Sequence, residues 1–370
     1  MNNVLITPRK YVQGRGALDQ LGSLISIIGK KPILLWDKTV KGIVSETVFE
    51  SLKAAKIEYV DVDFQGDCTH REVDRVVGII KESGADISIG FGGGKTLDAA
   101  KAAAIETGIR IVTCPTIAST DSPTSAATVW YDDDGNCIGF DCWSFNPDLV
   151  LVDSGIIAKA PARTLVAGMG DTLSTWVEAK VALQTGAGNL AGGKSTLAAM
   201  AIAKLGYDIL MEHGVQAKLS AEAGVLTPSV EKVIEANILH SGLGFESGGL
   251  ASAHMIANCL PSFKQCRHLM HGEEVAFGII SQLCMDKAAS MEEVYEAVDF
   301  MISVGLPVTF AELNLEGVDR ESLKTIGDAA AGEGSLCESH CFKVTSEGVV
   351  DAMIAADALG QQRKEKLGTV

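Results

Sequence analysis

The fold of this chain is decided by Asp86-Ile87-Ser88-Ile89-Gly90-Phe91-Gly92-Gly93-Gly94-Lys95-Thr96-Leu97-Asp98. The run from Asp86 to Ile89 predicts a buried strand, and residues 95–106 predict a helix. Four glycines within five positions let backbone N–H groups approach a phosphate, and the start of the helix favours negative charge. Lys95 adds a positive charge to this turn. The pattern favours a phosphate-binding turn over a tight turn that binds no ligand.

The same alternation of short apolar runs and amphipathic segments fills the first 150 residues. Strands are predicted at 32–36, 57–63, 86–89, 110–115 and 146–153, and helices at 41–55, 70–82 and 95–106. Strands joined by helices of this length indicate a parallel sheet covered on both faces. We therefore expect a Rossmann-like α/β dinucleotide-binding domain in residues 1–160.

The composition changes near Pro161, after which Ala-, Leu- and Met-rich segments show helical periodicity. Helices are predicted at 195–211, 229–240, 247–259 and 291–304. We expect an all-α metal-binding and substrate domain in residues 161–370. The cleft between the two domains is the expected ligand site.

The composition of the 370 residues excludes several classes of function. A net charge of −16 without a basic stripe argues against a nucleic-acid partner. The first ten residues lack the apolar core of a signal peptide, and no apolar run is long enough to span a bilayer. We therefore expect a cytoplasmic protein without membrane contact. Nine cysteines at irregular spacing fit reduced thiols better than a disulfide framework.

Two features bear on which nucleotide would bind. Asp37 ends the strand at 32–36, where its carboxylate could accept from ribose hydroxyls and repel a 2′-phosphate, favouring NAD over NADP. A surface aspartate at a strand end is the alternative. The segment 188–195 matches the P-loop pattern in full, but the residues before it have helical character where a P-loop needs a strand. We interpret it as a loop between helices.

Three residues form a candidate divalent-metal site: Asp171, His254 and His271. One carboxylate and two imidazoles leave positions at a metal for water or substrate. They are far apart in sequence, so spacing alone proves nothing, and a lone histidine in an apolar segment is more often a core residue. The same donors describe non-haem iron oxygenases, but a helical scaffold after a nucleotide domain favours hydride transfer.

Two other groups of potential ligands compete with these three residues. Cys259, Cys266 and His268 form one group, and residues 337–341, with Cys337, His340 and Cys341, form the other. Neither has the paired spacing of structural zinc sites, so we expect ordinary thiols in both.

Several motifs in order make the chain resemble the NAD-dependent glycerol dehydrogenases of the group III, iron-containing-type alcohol dehydrogenase superfamily. The motifs are Gly92–Lys101, Pro115–Ser125, Gly168–Asp171, Gly244–Gly249 and His271–Gly278, and the resemblance covers nearly the whole chain. It implies a dehydroquinate-synthase-like α/β domain followed by an all-α domain. It also implies hydride transfer from glycerol or a related small diol to NAD, reversibly, and a homo-oligomer, often an octamer.

The resemblance also implies roles for individual residues. Asp171, His254 and His271 match the zinc ligands, with iron or manganese as alternatives, and Thr175 stands where many iron-dependent relatives carry a further histidine. Asp121 and Phe245 match the substrate pocket, where the three metal ligands would also contact substrate. The implied cofactor contacts are Asp37, Gly92, Gly93, Gly94, Lys95, Asp98, Thr116, Ser119, Ser125, Ala127 (through its backbone) and Tyr131. Ala257 departs from a polar or histidine side chain in relatives, which leaves the preferred diol or ketone open.

Other functions share some of these sequence features. A dehydroquinate-synthase-type cyclase or a glycerol-1-phosphate dehydrogenase would need a basic cluster, but residues 244–277 offer only Lys264 and Arg267. A P-loop nucleotide hydrolase would rest on residues 188–195 and would need a further acid after a strand. A nucleotide sensor without catalysis is the third alternative.

Overall fold

The structure, a computed structural model, describes residues 1–368. Its centre is a six-stranded, all-parallel sheet with the strand order β1-β8-β5-β4-β2-β3. These strands are β1 (Tyr11–Gly14), β2 (Pro32–Trp36), β3 (Val60–Asp63), β4 (Ile87–Gly92), β5 (Arg110–Pro115) and β8 (Leu149–Asp153). An antiparallel hairpin, β6 (Ala127–Tyr131) and β7 (Cys137–Cys142), stands apart from this sheet.

The central strands are buried on both faces because helices cover the sheet on each side. Successive side chains of a strand point to opposite faces. Leu34 and Trp36 therefore pack in one apolar cluster with α1 (Leu21–Ile25) and α2 (Lys38–Ala54). Ile33 and Leu35 pack in a second cluster with α3 (His70–Ser83) and α4 (Gly94–Thr107). This layering explains why β2, β4 and β8 read as continuous apolar runs.

All named elements after β8 are helices in the described residues. They are α5 (Ser154–Ile157), α6 (Ala162–Thr185), α7 (Leu197–Glu222), α8 (Pro228–Glu235), α9 (Ser241–Gly248), α10 (Ser252–Cys259), α11 (His271–Met285), α12 (Met291–Val304), α13 (Arg320–Ala330) and α14 (Ser346–Leu367). A π-helical turn, Ala236–His240, joins α8 to α9. No helix within residues 1–368 has the length and apolarity needed to cross a membrane.

The expected architecture, a parallel α/β unit followed by a helix-rich remainder, is confirmed. The division at residue 160 stays a prediction, and the N-terminal segment reaches the later half, where Asn3 bridges Lys194 and the Ile6 N–H donates to Ser247 Oγ. Two elements lacked a strong signal in the sequence: strand β1 and the hairpin of β6 and β7.

One local prediction is corrected by the structure. The helix predicted over 247–259 is two helices, because Gly249 adopts a φ of +102° and ends α9 before α10 begins at Ser252. Asp171 lies inside α6, and Gly168 and Gly170 belong to the same helix.

Glycines inside the helices allow unusually close packing. A Cβ on Gly168 would lie 2.0 Å from the Ala118 carbonyl oxygen, and one on Gly170 would lie 2.1 Å from the Gly272 carbonyl oxygen. A Cβ on Gly272 would lie 1.7 Å from the Ala167 carbonyl oxygen. Because only glycine fits these three positions, α6 approaches both the loop after β5 and the start of α11 at backbone distance.

Candidate metal centre and nucleotide cleft

A cleft of about 600 Å³ opens at the carboxyl ends of β2, β4 and β5. Ligands of open parallel sheets bind at this edge. Five of the predicted cofactor contacts line the cleft: Asp37, Gly93, Gly94, Lys95 and Thr116. Apolar side chains, including Val40, Ile43, Val44, Phe64 and Ile156, line the remainder. The cleft thus offers a polar turn at the sheet edge and an apolar surface of the kind a planar base packs against.

The glycine turn fits a phosphate group. Gly93 is the N-cap of α4, and the first backbone N–H groups of a helix have no partner within the helix. A Cβ on Gly93 would lie 3.0 Å from Ile117 Cδ1, so a larger residue would crowd this edge of the cleft. The Lys95 ammonium pairs with Asp67 and lies 4.2 Å from the centre of the Tyr131 ring. Two cation contacts thus hold Lys95 beside the turn.

Asp37 is the N-cap of α2. Its Oδ1 accepts from the Thr39 N–H at 2.8 Å and from the Val40 N–H at 3.1 Å. Its Oδ2 has no hydrogen-bond partner within residues 1–368, and Asp37 lines the cleft. One carboxyl oxygen therefore caps a helix, and the other is available to a ribose hydroxyl.

The other predicted cofactor contacts do not line this cavity. Gly92 ends β4, Ser119 and Ser125 are buried in the loop after β5, and Ala127 and Tyr131 are the first and last residues of β6. Asp98 is buried in α4, where it accepts from Ser122 Oγ at 2.6 Å and from the Val129 N–H at 2.9 Å. Asp98 thus anchors the loop after β5 and strand β6, and its role as a direct contact stays a prediction.

Lys101, which the sequence reasoning did not single out, stabilises the same loop. Its side chain is fully buried, and its ammonium pairs with Asp98 Oδ1 at 2.9 Å. It also donates to the Ser122 carbonyl at 2.8 Å and the Ser125 carbonyl at 3.2 Å. A buried cation needs such partners, so Lys101 and Asp98 together fix the segment that carries Ser125 and Ala127.

The three predicted metal ligands come together at one point. One ligand atom each from Asp171, His254 and His271 lies within 4.8 Å of the others. His254 Nε2 is 3.4 Å and His271 Nε2 is 3.8 Å from Asp171 Oδ1. Three different helices supply them: α6 supplies Asp171, the start of α10 supplies His254, and the first residue of α11 supplies His271.

The chemistry of Asp171 fits a metal ion at this point. Both carboxyl oxygens are enclosed and lack a hydrogen-bond partner among the described residues. Burial raises the pKa of Asp171, but His254 and His271 outweigh it and hold the pKa below its usual range. A buried, ionised carboxylate without hydrogen bonds is costly unless a cation lies beside it. An oxygen donor with two imidazole nitrogens is a set that divalent zinc or iron accepts.

Glu178 positions His254 and was not found from the sequence. It is fully buried on α6, and its Oε1 accepts from the Ala251 N–H at 2.9 Å and from the His254 N–H at 3.0 Å. Its Oε2 accepts from His254 Nδ1. Burial lowers the pKa of His254, but Glu178 and Asp171 together raise it well above its usual value. A carboxylate on Nδ1 leaves Nε2 as the ligand atom, the usual arrangement at histidine-bound metals. The only available signal was the spacing of Glu178, two helical turns after Asp171.

Asp121 joins this centre from the sheet half. It lies in the loop after β5, and its Oδ2 accepts from Ser241 Oγ at 3.2 Å. Burial raises the pKa of Asp121 well above its usual value, and the charge of Asp171 adds to the shift. Phe245 is buried on α9, four residues after Ser241. The loop that begins with Thr116 in the nucleotide cleft therefore reaches the metal centre at Asp121.

The competing ligand groups do not form a second site in the described residues. His340 Nε2 bonds to Ser252 Oγ at 2.8 Å, Cys266 donates to the Leu313 carbonyl, and all nine cysteines are free. The P-loop-like segment 188–195 lies between α6 and α7 with no strand before it, which confirms the loop interpretation. Asn189 Nδ2 donates there to the Val4 and Ser247 carbonyls, so this loop packs the N-terminus.

Comparison with known proteins places this geometry in a family. A family model described as iron-containing alcohol dehydrogenase matches residues 8–154. The chain is 42% identical over 362 residues to glycerol dehydrogenase of Citrobacter freundii, covering 98% of this chain and 99% of that protein. It is 39% identical over 366 residues to glycolaldehyde reductase of Halobacterium salinarum, covering 99% and 100%.

A solved structure agrees with the sequence comparisons. Glycerol dehydrogenase of Schizosaccharomyces pombe matches with a TM-score of 0.96 at 33% identity, covering 100% of this chain and 94% of that chain. Sequence identity of 33% to 42% over nearly whole chains shows a shared family as well as a shared fold. The chain belongs to the glycerol dehydrogenases, within the iron-containing alcohol dehydrogenase family.

Proposed function

We propose that this protein oxidises the secondary alcohol of glycerol, or of a related small polyol, to the ketone with NAD as hydride acceptor, and that it also runs in reverse. The observation that carries this proposal is the Asp171 carboxylate, enclosed and without a hydrogen bond among the described residues, with the ring nitrogens of His254 and His271 beside it. The nucleotide cleft supports it, because Thr116 and Asp121 belong to one loop. Membership of the family implies the metal and NAD.

Zinc is the metal we propose, held by Asp171, His254 and His271. Three protein ligands leave positions for the substrate, as in catalytic zinc sites. Thr175, one helical turn after Asp171, adds no histidine nitrogen; its Oγ1 lies 3.3 Å from Ser241 Oγ and 3.4 Å from the Asp171 carbonyl. When bound, the metal supplies Lewis acidity that lowers the pKa of a coordinated hydroxyl, and NAD supplies the acceptor for the C2 hydride.

The residues of the chain bind and orient the reactants. Glu178 holds His254 in the tautomer whose Nε2 faces the ligand cluster. The carboxyl group of Asp121, whose pKa burial raises, can hydrogen-bond a substrate hydroxyl. Asp37 would accept from a ribose hydroxyl, and the N–H groups at the start of α4 would bind the pyrophosphate. The net change is one hydride from C2 to NAD and one hydroxyl proton to solvent.

Reduction of a small hydroxyaldehyde or hydroxyketone is the second candidate, as the reverse of the same reaction. Glycolaldehyde reductase of Halobacterium salinarum, at 39% identity over the whole chain, favours it. The same ligands and the same cleft would serve both directions.

The test offers the protein a panel of small polyols with NAD and with NADP, and follows the absorbance of the reduced cofactor. The assay is run before and after chelation, and the metal content is measured on the same sample. Asp171→Asn and His271→Ala should abolish turnover while NAD binding persists. His213→Ala is the matched control, because His213 contacts Lys232 and Glu212 outside the site. Turnover at the wild-type rate by either variant in metal-free buffer would refute the metal site.

A homo-oligomer is also proposed. The exposed apolar side chains of α7 support it: Leu197 is 86%, Leu205 48% and Leu219 59% exposed. Several large apolar side chains exposed along one helix are consistent with a protein interface. Light scattering after size exclusion measures the assembly, and a monomer at micromolar concentration would contradict the proposal.

A further inference from the structure

Thr124 is a buried residue of the loop after β5, and the proposed reaction gives it no role. It lies three residues after Asp121, and its exposed fraction is 0%. Its N–H donates to the Asp121 carbonyl at 3.2 Å, and its hydroxyl donates to the Ile238 carbonyl at 2.6 Å. Its own carbonyl accepts from Asn146 Nδ2 at 2.9 Å. Thr124 therefore joins the turn that carries Asp121 to the helical half of the chain.

The helical half meets this turn at backbone distance. Ala236–His240 is a π-helical turn, in which the Ser241 N–H donates to the carbonyl five residues earlier, and such turns recur at functional sites. Directly after it, a Cβ on Gly242 would lie 1.9 Å from Thr124 Oγ1 and 3.2 Å from the Asp121 carbonyl oxygen. Because glycine is needed there, the start of α9 packs directly against the turn.

The same segment holds the Asp121 side chain beside the candidate metal ligands. Ser241 Oγ donates to Asp121 Oδ2 at 3.2 Å and lies 3.3 Å from Thr175 Oγ1. Thr175 Oγ1 in turn lies 3.4 Å from the carbonyl oxygen of Asp171. A chain of three polar contacts thus connects the Asp121 carboxyl group to the residue that supplies the carboxylate ligand. Ser241 orients that carboxyl group, and Thr124 fixes the backbone that carries it.

Other residues hold the loop on the side of the nucleotide cleft. The Thr116 N–H donates to the Gly92 carbonyl at 3.1 Å. The Lys101 ammonium binds the carbonyls of Ser122 and Ser125 from the sheet half. Loss of the Thr124 hydroxyl would remove a bond to the helical half and leave these bonds to the sheet half in place.

We propose that Thr124 is a positioning residue for the substrate. Its bond to the Ile238 carbonyl holds Asp121 where the carboxyl group can hydrogen-bond a hydroxyl of a small polyol at the metal ligands. This inference rests on the proposed function, in which Asp121 binds that hydroxyl. A misplacement of about 1 Å can cost about 100-fold in rate, so loss of this one bond has a measurable effect.

The experiment measures three quantities in wild type and in variants of Thr124: kcat/KM at saturating NAD, the Kd of NADH and the zinc content. The substrate is glycerol, or the polyol of the panel that wild type oxidises fastest. Thr124→Val keeps the shape of the side chain without the hydroxyl, so kcat/KM should fall about 10- to 100-fold. The Kd of NADH and the zinc content should stay at their wild-type values.

Two smaller variants isolate the hydroxyl group. Thr124→Ser keeps it and should retain most of the activity, whereas Thr124→Ala should not. These two variants differ only in the hydroxyl oxygen, so their comparison decides the question even where Thr124→Val does not fold. Ser88→Ala is the matched control, because Ser88 is also fully buried and its hydroxyl donates to the Ala100 carbonyl at 2.9 Å. It should leave all three quantities unchanged.

A double-mutant cycle tests whether Thr124 acts through Asp121. In an Asp121→Ala background, Thr124→Val should lower kcat/KM no further, because the contact that Thr124 positions is already absent. An equal further fall in that background, an unchanged kcat/KM in Thr124→Val, or a parallel loss of NADH affinity or zinc would overturn the proposal. Absence of NADH formation by wild type with every polyol would instead refute the proposed function itself.

Discussion

Replacement of Glu178 by glutamine should weaken metal binding although no ligand is changed. The Glu178 Oε1 atom accepts two backbone N–H groups, from Ala251 at 2.9 Å and His254 at 3.0 Å, and Oε2 accepts from His254 Nδ1. A glutamine amide has only one oxygen. If that oxygen keeps the two backbone donors, the NH₂ group faces Nδ1, which must then accept.

The consequence of that exchange is a change of tautomer. A histidine that accepts at Nδ1 carries its proton on Nε2, the atom that lies 3.4 Å from Asp171 Oδ1. A protonated Nε2 cannot bind a metal. The other orientation of the amide leaves two buried N–H groups unpaired, at about 1–3 kcal/mol each. Loss of a partner of this kind costs about 10- to 100-fold in metal affinity, which is about 1.4–2.7 kcal/mol.

The assay is competition for zinc between the protein and a chromophoric chelator at fixed pH. Asp153→Asn is the matched control, since its buried carboxylate also accepts three hydrogen bonds, here all from backbone N–H groups (Gly16, Leu18 and Gly155), but lies in the sheet half. The control should bind zinc as wild type does. Wild-type zinc affinity in Glu178→Gln would refute the tautomer argument.

Three further predictions test the packing, the cofactor preference and the pH dependence. Gly272→Ala should lower the free energy of unfolding by about 3 kcal/mol, because its Cβ would lie 1.7 Å from a carbonyl oxygen. A Cβ on Gly42 would have no atom within 4 Å, so Gly42→Ala should not lower this free energy; urea unfolding measures both variants. Asp37→Ser keeps the helix cap but removes the negative charge that would repel the 2′-phosphate of NADP. The ratio of kcat/KM with NADP to kcat/KM with NAD should therefore rise about tenfold. An unchanged ratio contradicts the assigned ribose contact. Burial raises the pKa of Glu246 to about 7 from an unfolded value of 4.5, so between pH 4.5 and 7 the folded state binds more protons than the unfolded state. The protein therefore loses stability as the pH rises through this range, by up to about 3 kcal/mol. Glu246→Gln should flatten that slope in unfolding experiments from pH 4.5 to 8, and a retained slope contradicts the assignment.

Strands β2 and β5 could be predicted from sequence because burial on both faces leaves a simple signal. The predicted strands at 32–36 and 110–115 match β2 and β5 residue for residue. The prediction of one helix over 247–259 overlooked the Gly248-Gly249 pair, since two successive glycines commonly mark a turn. Gly249 ends α9, and Glu178, from another helix, fixes the start of α10 by accepting the N–H groups of Ala251 and His254. Tertiary hydrogen bonds of this kind leave no periodicity in the sequence.

The candidate ligands could be named from sequence only through motifs, because the distances between them are set by backbone contacts. Asp171 and His271 meet because Gly170 and Gly272 let α6 and the start of α11 touch without side chains between them. His254 is brought to the same point because a Cβ on Gly278 of α11 would lie 2.2 Å from the Ala253 carbonyl oxygen of α10. A sequence motif shows which residues are glycine, but only the folded chain shows which backbone segment packs against each glycine.

These contacts have a consequence for how the centre works. The positions of the three ligands follow from helix packing and from the bond between Glu178 and His254. The substrate side is different, because Asp121 lies on a loop that the helical half holds through the Thr124 bond to the Ile238 carbonyl at 2.6 Å. Metal geometry and substrate geometry are therefore set by separate parts of the chain, and variation in the loop can change substrate preference without changing the ligands.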